Sequence, residues 1–216
     1  MTLQHIFYIP AILLLGFIFG TIVSESKQGN TRTASSSLQH KISEKRLLYT
    51  FLIFILVFVI THIFEIPGGL KEINQLLNGV KIFDRNPVFS SDEVYERVRL
   101  FSTKGLLAYK RFTYTTDILF PISFFAFLLT FSRFVASRII LKQMTYFLTG
   151  LPYFWFSADL IENAIIFSIL SAFPNQIDFL GNSLGLITVA KFGLLLLSIF
   201  TPSLLFILAK KNSVTE

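Results

Sequence analysis

Asp159, Glu162 and Asn163 interrupt a stretch, 146–171, that is otherwise apolar. Tyr153-Phe154-Trp155-Phe156 precedes them and Ala164-Ile165-Ile166-Phe167 follows. On a helix, residues three and four apart share a face, so the three polar groups point one way. An acidic residue at mid-membrane costs roughly 2.5–3.5 kcal/mol on insertion scales, against about 0.3–0.6 recovered for each Leu or Phe. Two carboxyls one turn apart therefore mark a site rather than an accident of composition. Such a set can exchange protons. Asp159, Glu162 and a later intramembrane cation, Lys191, are the catalytic candidates.

Other ionisable groups fall near the ends of their own apolar runs: His62 and Glu65 one turn apart, and Asp117 ahead of Phe120-Pro121. At ~1.5 Å of rise per residue, Glu162 lies roughly 15 Å and Lys191 some 10–12 Å from the same membrane face. Asp117, Asn163, Tyr109, His62 and Glu65 are the ligand-binding candidates. Lys191 is expected to pair with Asp159 or Glu162, which leaves at least one carboxyl to a proton, a cation or water. Carboxyls beside a histidine resemble a hard-metal ligand set, but His62-x-x-Glu65 lies in no zinc motif, so no metal is assigned. No cofactor is indicated. Buried polar networks also fix helix register without any chemistry, and Asn163 and Asp117 are read equally well that way. Ser157 forms no triad with Asp159, because no His is placed to activate it.

The elements that position these groups follow from composition. Of 216 residues, 53% are hydrophobic and 26 are Phe, too apolar for a soluble domain and typical of a polytopic membrane protein. The absence of Cys excludes disulfides, thiol catalysis and thiolate metal sites. The net charge of +6 sits mainly in loops between apolar runs, which fits membrane orientation and not a nucleic-acid face.

Apolar periodicity predicts five spans, at 6–23, 47–66, 113–135, 146–171 and 182–209. The first lacks a basic flank and a small-x-small cleavage site, so it reads as a retained helix rather than a signal peptide. Its Gly16 and Gly20 allow close helix approach, first within the chain and second in a homo-oligomer. A polar linker at 25–46 follows, and Pro67-Gly68-Gly69 stops the second span. Within the long 67–112 segment, Ser90-x-x-Glu93 is a capping box opening a short amphipathic helix that Gly105 is expected to end. That helix is expected on the membrane surface or as a cap on the bundle. Pro202 is expected to kink the last span, and Lys210-Lys211 close it.

The fold class expected is therefore an all-α membrane protein. Spans two to five, within 47–209, form a four-helix transmembrane bundle; one additional N-terminal transmembrane helix (1–24) and a short extracytoplasmic amphipathic helix complete it. Basic short loops at 25–46 and 133–142 and the tail at 210–216 place these three in the cytoplasm, with the N-terminus outside. The location is then a cell (inner or plasma) membrane.

From 79 to about 193, the markers Gly105-x-x-x-Tyr109, Asp117-x-x-Phe120-Pro121, Asp159-x-x-Glu162-Asn163 and Lys191 resemble those of an uncharacterised family of small bacterial multi-pass integral membrane proteins. The resemblance implies a core of spans two to five with a peripheral first helix, and it carries no activity. Ser123-Phe124 stands where a Tyr often follows the Phe-Pro of that family.

Three functions fit these observations. One is a membrane protein that binds or processes a lipid or small apolar ligand from the outer leaflet. Another is a small proton-coupled transporter subunit, and the third is a non-catalytic assembly or scaffold protein. A polar pocket opening to the outer leaflet favours the first, a continuous polar path to Arg133 the second, and a fully paired network with no cavity the third. Membrane lipids are the expected partners, and nucleic acid is not.

Overall fold

The computed structural model describes residues 44–138 and 142–212. The expected span at 6–23, the linker up to residue 43 and the end of the tail lie outside the described residues. Helix α1 covers Glu44–Phe58 and widens into a π turn over Val59–Ile63. Short helices α2 (Leu70–Leu76), α3 (Ser91–Arg99) and α4 (Thr103–Phe112) follow, with a 3-10 turn at Phe83–Arg85 between the first two. The long helices are α5 (Thr116–Ala136), α6 (Lys142–Ala172) and α7 (Asp178–Asn212). No strand occurs among the described residues. Four helical stretches are long and apolar enough to cross a membrane: Glu44–Ile63, Thr103–Ala136, Gln143–Ala172 and Asp178–Leu208.

The boundaries differ from the sequence reading in physically instructive ways. Span two stops at Ile63 instead of 66, because Phe64 is already extended and the residue before Pro67 is pushed out of helical geometry. Gly105 does not end α3; Leu100 does. Gly105 instead sits in the first turn of α4, where its amide donates to the capping Ser102 hydroxyl at 2.9 Å. A Cβ there would come 2.4 Å from the Leu76 carbonyl oxygen, so glycine is what lets α4 lie against α2. The last span begins one turn early, at Asp178, and its helix continues through Pro202. Ser90 does cap α3, accepting from the Glu93 amide.

Packing is uneven among the four long stretches. Helices α5, α6 and α7 pack on one another, whereas α1 lies mainly along α5 and leaves Leu48, Leu52, Leu56 and Ile60 exposed. Phenylalanine makes the α1–α5 seam: Phe54 stacks on Phe124 at 4.4 Å, and Phe51 lies 5.3 Å from Phe127. Aromatic pairs of this kind add about 0.5–1.5 kcal/mol each beyond area. Lipid tails are as apolar as Leu, so such close ring contact is what holds α1 in place.

The 67–112 segment folds as a cap on one end of the bundle. Val94, Tyr95 and Val98 of α3 join Leu70, Ile73, Leu77, Phe83, Tyr109 and Phe112 in a core that continues into Ile166, Ile169, Leu170 and Leu184 of the long helices. Hydrogen bonds fix α3 to the start of α7. The Ser91 amide donates to Asn182 Oδ1 at 2.8 Å and its hydroxyl to Asp178 Oδ1 at 2.9 Å. The close approach depends on Gly181 and Gly185, where a Cβ would meet Ser91 Cα at 2.7 Å and the Val88 carbonyl oxygen at 2.3 Å.

Candidate functional site

Lys191 is the centre of the polar cluster. It lies on α7 one turn beyond Thr188, facing the α6 turn that carries Asp159 and Glu162. Its ammonium meets three carboxylates: Glu162 Oε2, Asp84 Oδ2 at 2.9 Å and Asp159 Oδ1 at 3.3 Å. The Thr188 hydroxyl contacts the other oxygen of Glu162 and also lies 3.0 Å from the Leu184 carbonyl oxygen. Glu162 is fully buried, while Asp84 is about a quarter exposed.

Helix geometry explains how residues from different depths meet. Glu162 stands roughly 15 Å below the capped end of α6, whereas Lys191 stands roughly 20 Å below the start of α7. Side chains tilt toward the N-terminus of their own helix, so the lysine stem rises back toward the cap. The difference in depth is spanned by the stem.

Asp84 is the member of the cluster that sequence reasoning missed. It comes from the 3-10 turn of the cap, and two side chains hold that turn. The Phe83 amide donates to the Tyr109 hydroxyl at 3.1 Å. Arg97 donates to the Asn86 carbonyl at 2.6 Å while its guanidinium lies over the Phe83 ring. Tyr109 is thus a buried positioning residue for Asp84, with its hydroxyl turned to the loop backbone.

The other sequence candidates are placed as follows. Asp117, half-buried in the first turn of α5, lies within electrostatic range of Asp84, Asp159, Glu162 and Lys191. Asn163 is buried beside Asp159 on α6, and among the described residues neither Asn163 Oδ1 nor Asp159 Oδ2 has a hydrogen-bond partner. His62 does not join the cluster. It packs between Phe58 and Phe120, with Nδ1 2.7 Å from the Thr61 hydroxyl. Glu65 is exposed beyond the end of α1 and lies 3.8 Å from Lys71. No group of three or more His, Asp or Glu side chains among the described residues is arranged to hold a metal ion.

Asp84 also lines the surface. With Lys81, Arg85, Pro87 and Phe192 it forms an open hollow of about 700 Å³. The opposite direction is closed. Between the cluster and the Arg133 end of α5 stand Phe124, Phe125, Leu128, Leu129 and Trp155, and then Phe134, Val135 and Leu148. At that depth Thr130 and Ser198 return their hydroxyls to their own helices, and the buried Ser132 hydroxyl has no hydrogen-bond partner among the described residues.

The described residues are all-helical, and four helical stretches long and apolar enough to cross a membrane, with a buried ion cluster among them, fit a membrane protein. No family model, curated protein or solved structure matches the chain.

Proposed function

We propose that this chain is a multi-pass integral membrane protein that binds or processes a lipid or small apolar ligand at the Lys191 cluster. In this reading the N-terminus is outside, the C-terminus is cytoplasmic, and the cap with α3 is extracytoplasmic. The cluster then lies in the outer half of the membrane. Asp159 and Glu162 are its acid–base groups and Lys191 its fixed charge.

One observation carries the reading: Asp84 belongs both to the buried cluster and to the wall of a hollow that opens at the capped end. A site with one open side and an apolar floor suits a ligand that enters and leaves by the same face. The apolar layer between the cluster and Arg133 speaks against a proton path across the bundle. The unpaired acceptors on Asp159 and Asn163 speak against a purely structural network, since buried polar atoms are nearly always satisfied.

The test is the complement of lipids and small apolar molecules that co-purifies with the protein. Glu162→Gln combined with Lys191→Met removes one charge of each sign and should strip a specific component seen with the parent. An identical complement from the folded double variant would refute the reading.

A further inference from the structure

The hollow carries its own chemistry. Lys81 and Arg85 are exposed on its rim, and among the described residues neither side chain has a hydrogen bond or ion pair. Asp84 lies between them in sequence and turns one oxygen, Oδ2, inward to Lys191, while Oδ1 has no partner among the described residues. Two cationic donors and one carboxylate acceptor therefore face a single opening.

The remaining wall is apolar and continues along the bundle. Phe192 lines the hollow and is 43% exposed; Leu196 and Phe200, one and two turns on, are 53% and 65% exposed. Residues at i, i+4 and i+8 form one strip on the helix surface. The strip leads from the hollow into what would be the hydrocarbon region. A ligand that matches both parts has a polar head and a long apolar chain.

Charge decides the kind of head. The two rim cations favour a phosphate. Behind them, however, Asp84, Asp159 and Glu162 outnumber Lys191, with Asp117 close by. A head with only negative charge would be drawn by the rim and repelled by what lies beneath. A head that carries a phosphate and a protonated amine satisfies both layers.

We propose that the hollow holds the phosphate–amine headgroup of a zwitterionic membrane lipid, with the phosphate at Lys81 and Arg85, the amine at Asp84 and an acyl chain along Phe192, Leu196 and Phe200. The proposal rests on the lipid reading above and names the lipid class for the same site. The amine must have N–H bonds to give Asp84, which distinguishes a primary ammonium from a quaternary one.

The experiment is lipid binding to the delipidated full-length protein in mild detergent, read by native mass spectrometry. The probes are phosphatidylethanolamine, phosphatidylcholine and phosphatidylglycerol of one acyl composition, with inorganic phosphate as competitor. Phosphatidylethanolamine should bind at least about tenfold more tightly than the other two, the loss of one charge-assisted hydrogen bond being worth about that factor. Lys81→Gln with Arg85→Gln should weaken it by a similar factor or more, and Lys104→Gln, exposed in the same segment, should not. Asp84→Asn should bring phosphatidylethanolamine down to the level of phosphatidylcholine.

Equal binding of the ethanolamine and choline lipids would overturn the proposal. So would tightest binding of phosphatidylglycerol, or full displacement by inorganic phosphate, which would make the hollow a plain anion site. The rim substitutions leave Lys191 and its carboxylates untouched. If they change nothing while the Glu162–Lys191 double variant still loses its co-purified component, only the headgroup assignment falls. If neither set has any effect, both readings fall.

Discussion

Replacing Lys191 by Met should destabilise the protein more than replacing it together with Glu162. With an effective dielectric near 20, the attraction of the ammonium to Asp84 at 2.9 Å is about 6 kcal/mol and that to Asp159 at 3.3 Å is about 5 kcal/mol. Desolvation and repulsion among the carboxylates cancel much of this. Removing one partner of a buried pair typically costs about 3–5 kcal/mol, because the charge left behind is uncompensated. For a chain of this length that corresponds to a fall of roughly 6–20 °C in Tm. Adding Glu162→Gln to Lys191→Met should recover at least about 2 kcal/mol, since the most deeply buried of the three carboxylates then carries no charge. Adding Asp84→Asn should recover least, because Asp84 is partly exposed and can turn to water. Trp155 is the one tryptophan of the chain, buried one turn before Asp159 and edge-on to Phe124, so its fluorescence in detergent reports the melt. If no double variant recovers stability, the coupling does not exist. If all the variants melt with the parent, the cluster is solvated.

Gly185→Ala should cost about 1–3 kcal/mol, because its Cβ would fall 2.3 Å from the Val88 carbonyl oxygen and push the cap off α7. Gly193→Ala, on the same helix with nothing within 4 Å, should leave the melting temperature unchanged or raise it. Tyr109→Phe should cost about 1–3 kcal/mol by leaving the buried Phe83 amide without an acceptor, and amide exchange at Phe83 should speed up. Reporter fusions after Lys142 and after Lys211 should both show a cytoplasmic phenotype; a periplasmic signal at either would reverse the proposed orientation.

Asp159, Glu162 and Lys191 were legible because each is a charge set in apolar sequence, where its cost is conspicuous. Asp84 has no such background. It stands among Lys81 and Arg85 in a polar loop, and its partner is 107 residues away. Local pattern carries no signal of that contact. Gly181-x-x-x-Gly185 could have given one, since small residues at that spacing mark a helix on which another backbone lies. Glu65 was misplaced for a related reason: spacing puts it one turn from His62 only if the helix continues, and extended geometry at Phe64 ahead of Pro67 breaks that premise. Among the described residues the four long helical stretches were legible, because long apolar runs leave few alternatives. Of the cap only α3 was, through its capping box at Ser90 and Glu93; the rest was not, since α2 and α4 are too short to show a pattern alone.

The Glu162–Lys191 contact has a consequence for how the chain enters a membrane. Helices α6 and α7 are joined by only the residues between Ala172 and Asp178. Entering alone, α6 would carry two acidic groups into hydrocarbon and α7 one lysine, each at a cost of about 2.5–3.5 kcal/mol. Entering side by side, they bring opposite charges within contact before the rest of the bundle has closed. Asp84 can reach Lys191 only after the cap has folded over the end of that hairpin. Biogenesis would then run in two stages: a charge-matched hairpin that inserts as one unit, and a cap that locks onto its end.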